Sequence, residues 1–146
     1  DIMRMESGFL HWGHDISPEE NQFQAGLSFT ISNKKDVDFI GKKAIEKIKK
    51  EKLKSRFAMF TLKDSKPGKP LLLHDEPIYL ENKIIGRTTS GNYSFSYKKN
   101  LAFGYINSDF SNEELTVKPL FIEVGKKKYP ALIELKALKD KKARLS

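Results

Sequence analysis

The chain has 146 residues, 38% of them hydrophobic, with 10 Phe and 5 Tyr, enough for a buried core and too apolar for a disordered chain. It has no cysteine, which excludes a disulfide framework, a thiolate nucleophile and a thiolate metal site, and is compatible with a reducing, cytoplasmic setting. The net charge of +8 is carried mainly by lysine, since Arg4, Arg56, Arg87 and Arg144 are the only arginines; planar recognition of phosphates and base edges favours Arg, so nucleic acid is not the expected partner and a solvated basic surface is.

Residues 1–16 mix apolar Ile2, Met3, Met5, Phe9, Leu10 and Trp12 with Arg4, Glu6, His11 and His14, and Gly8 and Gly13 interrupt any long helix. The pattern predicts a helix end running into an irregular segment. Ser17-Pro18-Glu19-Glu20 is a helix-start signal, with Ser17 as cap, Pro18 at the first position and Glu20 closing a capping box. Residues 26–32 alternate apolar and polar and predict a strand. Asp38 is placed to cap a helix over 39–52, with a narrow stripe of Ala44, Ile45 and Ile48 and lysines on its other faces.

From about residue 55 the texture becomes that of short strands. Strands are predicted over 56–63, 78–81, 84–89, 101–106, 120–124 and 128–135, with tight turns at Asn82-Lys83 and Gly125-Lys126-Lys127. Lys66 to Pro70 is a turn cluster, Ser111 starts a helical turn, and the charged tail Lys139 to Ser146 is expected to lie over the surface. The expected fold class is an α+β segment followed by an all-β antiparallel barrel or sandwich. The expected division is 1–52, mixed and incomplete, and 53–146, self-contained. No apolar run approaches the roughly 18 residues that span a bilayer, and no signal-peptide core opens the chain, so no membrane role is expected.

Four constellations could carry chemistry. His11-Trp12-Gly13-His14-Asp15 sets two histidines beside a carboxylate; a metal site wants more ligands, and lining of a ligand pocket or domain seam suits these residues better. Arg4 and Glu6 face one cleft if the helix ends near Gly8, and otherwise form a surface pair. Gly86 to Tyr93 is either an anion-holding loop around Arg87 or a glycine-bearing strand exit at a barrel corner. Tyr93, Phe95, Tyr97, Phe103 and Tyr105 near Lys98 and Lys99 imitate a base-stacking surface, but their period-two spacing reads as core.

The runs Met3-Arg4-Met5-Glu6-Ser7-Gly8, Trp12 to Pro18, Gln24-Ala25-Gly26-Leu27 and Asp38 to Ala44 together resemble the glycine-cleavage T-protein (aminomethyltransferase) family, with Gln24 in place of the usual Glu and Met twice in place of Leu. Ile85 to Gly91 and Lys99 to Ile106 resemble that family's carboxyl-terminal barrel, and Gly8 to Ile16 is most similar to the sarcosine and dimethylglycine dehydrogenase branch. The resemblance implies that 1–52 is the tail of a folate-binding domain and 53–146 a terminal barrel. It implies tetrahydrofolate as cofactor, with FAD on upstream domains of the same polypeptide, which would also be the packing partners. Arg4 is carried over as a folate contact, with Glu6, Trp12 and His14 as cavity lining and Arg87 and Tyr93 as further candidates. No residue is carried over as catalytic, and the chain alone is expected to be a fragment that encloses cofactor without making bonds.

Overall fold

The computed structural model describes residues 2–31, 37–135 and 138. Six strands carry the fold: β1 (Ser55–Leu62), β2 (Pro77–Leu80), β3 (Lys83–Ser94), β4 (Lys99–Asn107), β5 (Leu120–Val124) and β6 (Lys127–Glu134). They pair antiparallel in the order β1-β4-β3-β2-β5-β6, and β1 returns to β6 to close a barrel. Before the barrel stand α1 (Ile2–Glu6), a 3-10 turn at Ser28–Thr30 and α2 (Lys42–Lys50); α3 (Asn112–Val117) lies between β4 and β5. The charged tail read from Lys139 onward falls outside the described residues.

The tight turns follow residue chemistry. Gly125 and Lys126 both take positive φ (57° and 64°) between the paired residues Val124 and Lys127, the geometry of a two-residue hairpin matched to strand twist. At the other hairpin the turn is Glu81-Asn82 and not Asn82-Lys83, because Lys83 already pairs with Leu80. Ser111 and Glu114 exchange backbone and side-chain bonds as a complete capping box for α3. Arg56 fixes that corner by donating to the Asn112 side chain at 2.6 Å and to the Phe110 carbonyl at 2.9 Å.

Period-two alternation sorts β1 and β4 into two faces. Ala58, Phe60 and Leu62 on β1 and Ala102 and Ile106 on β4 point into the barrel, where they meet Ile78, Leu80, Ile85, Leu120, Ile122 and Ala131. The opposite set is also largely buried. Met59, Leu101 and Phe103 form a second cluster with Met5 of α1, flanked by Ile2 and Phe57. An outward-facing apolar stripe on a barrel needs a cover, and α1 supplies it.

Three expectations are corrected. Residues 26–32 hold no strand over their described part. Thr30 Oγ1 donates to the Leu27 carbonyl at 2.7 Å, and this local bond accompanies a 3-10 turn with no neighbouring strand to reward extension. Asp38 does not cap the helix: its Oδ1 accepts from the Phe39 N–H, and Gly41, left-handed at φ 92°, is the residue before Lys42, so α2 is shorter than predicted. Of the aromatic run, Phe95 is exposed and Tyr97 half-buried, because β3 ends at Ser94 and alternation stops there; Tyr93, among the last residues of β3, is half-buried, and Phe103 alone among the five is fully buried.

Gly86 gives a test of how tightly β3 and β4 approach. A Cβ there would stand 2.0 Å from the Tyr105 carbonyl oxygen, whereas at Gly125 it would meet nothing within 4 Å. Gly86→Ala is expected to destabilise the chain by about 3 kcal/mol or more through backbone displacement. Gly125→Ala should cost only about 1–2 kcal/mol, the strain of left-handed alanine. Urea unfolding of both variants checks the order.

Candidate functional site

The N-terminal segment meets the barrel through one carboxylate. Asp15 is fully buried and takes the Arg4 guanidinium at 2.5 Å, the Thr89 hydroxyl at 2.6 Å and the His11 N–H at 2.9 Å. Arg4 also donates to the Phe9 carbonyl and, at 3.0 Å, to Ser90 Oγ, and it lies over the Phe103 ring. The Tyr105 hydroxyl donates to the Asp15 carbonyl at 2.9 Å. Burial opposes ionisation of Asp15, but the bonds from Thr89, Ser90 and His11, with the Arg4 charge, outweigh it and hold its carboxyl below the ordinary value of 3.8. Burial raises the Tyr105 phenol well above its ordinary value, assisted by the charges of Glu20 and Asp15, so it remains a donor.

A bulge in β3 makes this possible. Thr88 pairs with Gly104 and Ser90 with Phe103, so Thr89 is the extra residue. Without it Thr89 and Ser90 would point to opposite faces; with it both reach the outer face under the segment. One turn along, Glu6, also buried, accepts from Ser94 Oγ at 2.5 Å, which in turn accepts from the Tyr97 N–H.

Beside this clasp opens a cleft of about 990 Å³. One wall is Gly13, His14, Ser17 and Glu20; the other is Ile85, Gly86, Arg87 and Tyr105, with Lys54 and the loop residues His74 and Asp75 on the rim. Ser17 and Glu20 keep the first wall compact: the Glu20 carboxylate accepts from the Ser17 N–H at 2.8 Å and hydroxyl at 2.7 Å, a capping-box arrangement around a turn that does not continue as a helix.

The six residues singled out in the sequence thus divide. His14 and Arg87 share the cleft, His14 stacked on His11 with centroids 4.6 Å apart. Arg4 and Glu6 lie between α1 and β3, bonded to protein partners. Trp12 is 66% exposed outside the cleft, and Tyr93 packs edge-on against Phe95. Among the described residues no group of three or more His, Cys, Asp or Glu is placed to hold a metal ion, and no helix is long and apolar enough to cross a membrane. Asp15 is the residue that sequence reasoning undervalued. Its signal was present, a carboxylate after a Gly13 turn with an Arg upstream, but the bonding partners lie on β3, far along the chain.

Residues 56–140 match the family model of the glycine cleavage T-protein C-terminal barrel domain. The chain belongs to the glycine cleavage T-protein family. Relatives within and around the family include the mitochondrial dimethylglycine dehydrogenase of Mus musculus, 37% identical over 135 residues covering 91% of this chain and 15% of that protein. The mitochondrial sarcosine dehydrogenase of Homo sapiens is 32% identical over 73% of this chain and 11% of its own length. An aminomethyltransferase from Symbiobacterium thermophilum is 32% identical over 73% of this chain and 27% of its own. The chain spans about a seventh of the dimethylglycine dehydrogenase it matches. In fold it superposes on the glycine cleavage system aminomethyltransferase T of Bartonella henselae with a TM-score of 0.80 at 20% identity, over 95% of this chain and 37% of the other.

Removing Arg4 tests the clasp of this T-protein barrel. Arg4→Met should destabilise it by about 2–4 kcal/mol, because the Asp15 carboxylate is left buried without its cation. Because the folded state lowers the Asp15 pKa, its contribution is full above the ordinary carboxylate value and is lost as pH falls through the lowered one. The stability gap between the parent chain and Asp15→Asn should therefore be flat from about pH 5 to 8 and shrink below about pH 4, which thermal unfolding across pH measures.

Proposed function

We propose that this chain is the carboxyl-terminal, tetrahydrofolate-binding portion of an FAD-linked N-methyl amine dehydrogenase of the sarcosine and dimethylglycine type. In that role it helps to enclose the folate that accepts the one-carbon unit. Residues 1–52 end the folate-binding domain and 53–146 form the terminal barrel, with flavin chemistry belonging to upstream domains of the longer polypeptide. The observation that carries this reading is the reach of the dimethylglycine dehydrogenase match. At 135 residues it is longer than the stretch from Ser55 to the end of the chain, so it takes in most of the segment clasped onto the barrel as well as the barrel itself.

The residues present suit a folate. Its flat ring system and anionic glutamyl tail ask for an aromatic or apolar wall and for cationic donors. The cleft offers Tyr105 and Ile85 on one wall and His14, Lys54 and Arg87 as donors. When bound, tetrahydrofolate supplies the nitrogens that receive the one-carbon unit. The chain's own residues bind and orient: His14 and Arg87 face the ligand, and Arg4 and Glu6 act by fixing the segment to β3, whereas Trp12 and Tyr93 do not line the cleft. No bond-making group is assigned within this chain.

The match to an aminomethyltransferase supports a second reading, a flavin-free aminomethyltransferase or folate-dependent demethylase. It covers 73% of the chain, as the sarcosine dehydrogenase match does, against 91% for dimethylglycine dehydrogenase, and that longer match favours the dehydrogenase. Calorimetric titration of tetrahydrofolate into the longer polypeptide should show binding that Arg87→Ala weakens about tenfold, or about 1.4 kcal/mol. Dimethylglycine or sarcosine should bleach a flavin in that polypeptide. Absence of folate binding would sink the proposal, and folate binding without flavin would move it to the second reading.

A further inference from the structure

At its β1 end the cleft has a floor whose hydrogen-bond polarity is set by one amide of the N-terminal segment. β6 pairs with β1 only from Met59 onward, which leaves the first residues of β1 with an open edge, and there the Gln24 carbonyl accepts the Phe57 N–H at 2.7 Å. The turn before it is fixed by Asn21, whose Oδ1 accepts from the Phe23 and Gln24 N–H groups, both at 3.0 Å. The side-chain oxygen of Gln24 accepts in return from the Asn21 N–H at 3.1 Å, so the amide nitrogen is the end that faces β1. That nitrogen donates to Ser55 Oγ at 2.9 Å. The Ser55 oxygen is thus an acceptor towards Gln24, and its own hydrogen has no acceptor among the described residues. Ser55 lines the cleft, together with Lys54 and Asn107. Asn107 is the cross-strand partner of Ser55; its Oδ1 accepts from the Asp109 N–H at 2.9 Å, so its nitrogen is the end left to donate, in part to the Asp109 carboxylate. Asp109 is itself paired with Lys52 at 2.7 Å. Lys54 is held in place by the Ser108 N–H on its carbonyl at 3.2 Å, and among the described residues its ammonium is paired with no carboxylate.

We propose that Ser55, held as a donor by Gln24, forms with Lys54 and Asn107 a carboxylate-binding corner at the β1 end of the cleft, and that Gln24 is the positioning residue that gives the corner its preference for an anion. A carboxylate only accepts, so it answers a hydroxyl, an amide and an ammonium together. A carboxyl side chain in place of the Gln24 amide would take the Ser55 hydrogen for itself and bring a negative charge to the corner. On the facing wall the Glu20 carboxylate is occupied by Ser17, and Glu19 belongs to the same turn. Arg87 lies on β3, with β4 between it and β1, so it stands two strand spacings from Ser55, about 10 Å across the sheet. A ligand that reaches both ends lies across the strands with its anionic tail over β1. For the identity of that ligand the corner rests on the folate reading, in which the glutamyl group is the tail. The corner itself needs only a carboxylate.

The probe is p-aminobenzoylglutamate, which carries the glutamyl carboxylates without the pterin ring, compared with the same compound bearing amides in place of both carboxylates. Each is titrated calorimetrically into the 146-residue chain. The parent chain is expected to bind the carboxylate form about tenfold more tightly than the amide form. Ser55→Ala removes the donor without changing the charge and should weaken binding of the carboxylate form about fivefold, while Ser55→Thr keeps it. Gln24→Glu should weaken it about tenfold. Both Ser55→Ala and Gln24→Glu should leave the amide form within about twofold of the parent value, whereas a merely structural role would weaken the two forms alike. Adding Ser55→Ala to Gln24→Glu should cost little more, because both changes withdraw the same hydrogen; a fully additive loss would assign Gln24→Glu to long-range repulsion and overturn the role of Gln24. Equal affinity for the two forms, failure of the carboxylate form to bind the parent chain, or unchanged binding by Ser55→Ala overturns the corner. Tetrahydrofolate binding that Ser55→Ala and Gln24→Glu leave untouched also overturns the corner but leaves the folate reading standing. The expected probe pattern, together with no tetrahydrofolate binding, supports the corner and rejects the folate reading.

Discussion

The structure depends on a buried ion pair seated against a bulge. Asp15 and Arg4 both come from the irregular segment, and the hydroxyls that complete their shell, Thr89 and Ser90, come from β3. A carboxylate taken out of water is costly unless every lone pair is answered. Here a guanidinium, a backbone N–H and a barrel hydroxyl answer it. The consequence is directional: the segment has one seat on the barrel, because any slip along β3 would leave the carboxylate unanswered. Hydrophobic burial of Met5 against Met59, Leu101 and Phe103 supplies driving force but not register. The ion pair supplies register, and the cleft beside it inherits its shape from that fixed seating.

Two cores are built from one sheet. The inner face is filled by side chains, and small residues at Ala58, Ala102 and Ala131 admit Phe60, so the barrel is a packed solid and not a lumen. Binding is consequently displaced to the outside, where the segment and the strand ends make concave surface. This accounts for why the cleft draws residues from both halves of the chain. It also accounts for the loop residue Asp75, secured to Thr88 just before the bulge, standing next to the wall that the bulge organises.

Much of the barrel was legible in the sequence because hairpin chemistry is local. Gly125, the alternation of Leu120 to Val124 and the Ser111–Glu114 box each act within a few residues of themselves. The second core was legible only in part: Phe103 read as core by its spacing, but nothing near Met59 and Leu101 in the sequence shows that a helix is laid over them. The apolar alternation of Leu27, Phe29 and Ile31 misled for the opposite reason, since period two specifies a strand only where a partner strand exists. Of the cleft lining, Arg87 and His14 are singled out by residue type and family resemblance. Asp15 was seen only as a member of a histidine cluster. Its actual role is set by Thr89 and Tyr105, and no local pattern encodes contacts at that separation. The bulge at Thr89 was invisible for the same reason, because a bulge is a relation between two strands.

The closed strand order also constrains the sequence of events by which the chain can fold. The β2–β3, β3–β4 and β5–β6 pairs join neighbours across short connections, whereas β1 must wait for β4, and the β1–β6 seam joins Met59 to Glu134. Loop closure of that length is entropically the most expensive step and comes after the hairpins exist. During synthesis β1 therefore leaves the ribosome with both of its edges bare, and one of them stays bare until the last strand arrives. The lysines and the proline in β6, at Lys127, Lys128 and Pro130, lie on the strand that must find β1 at that moment. Charge and a missing N–H discourage that strand from pairing with another chain instead.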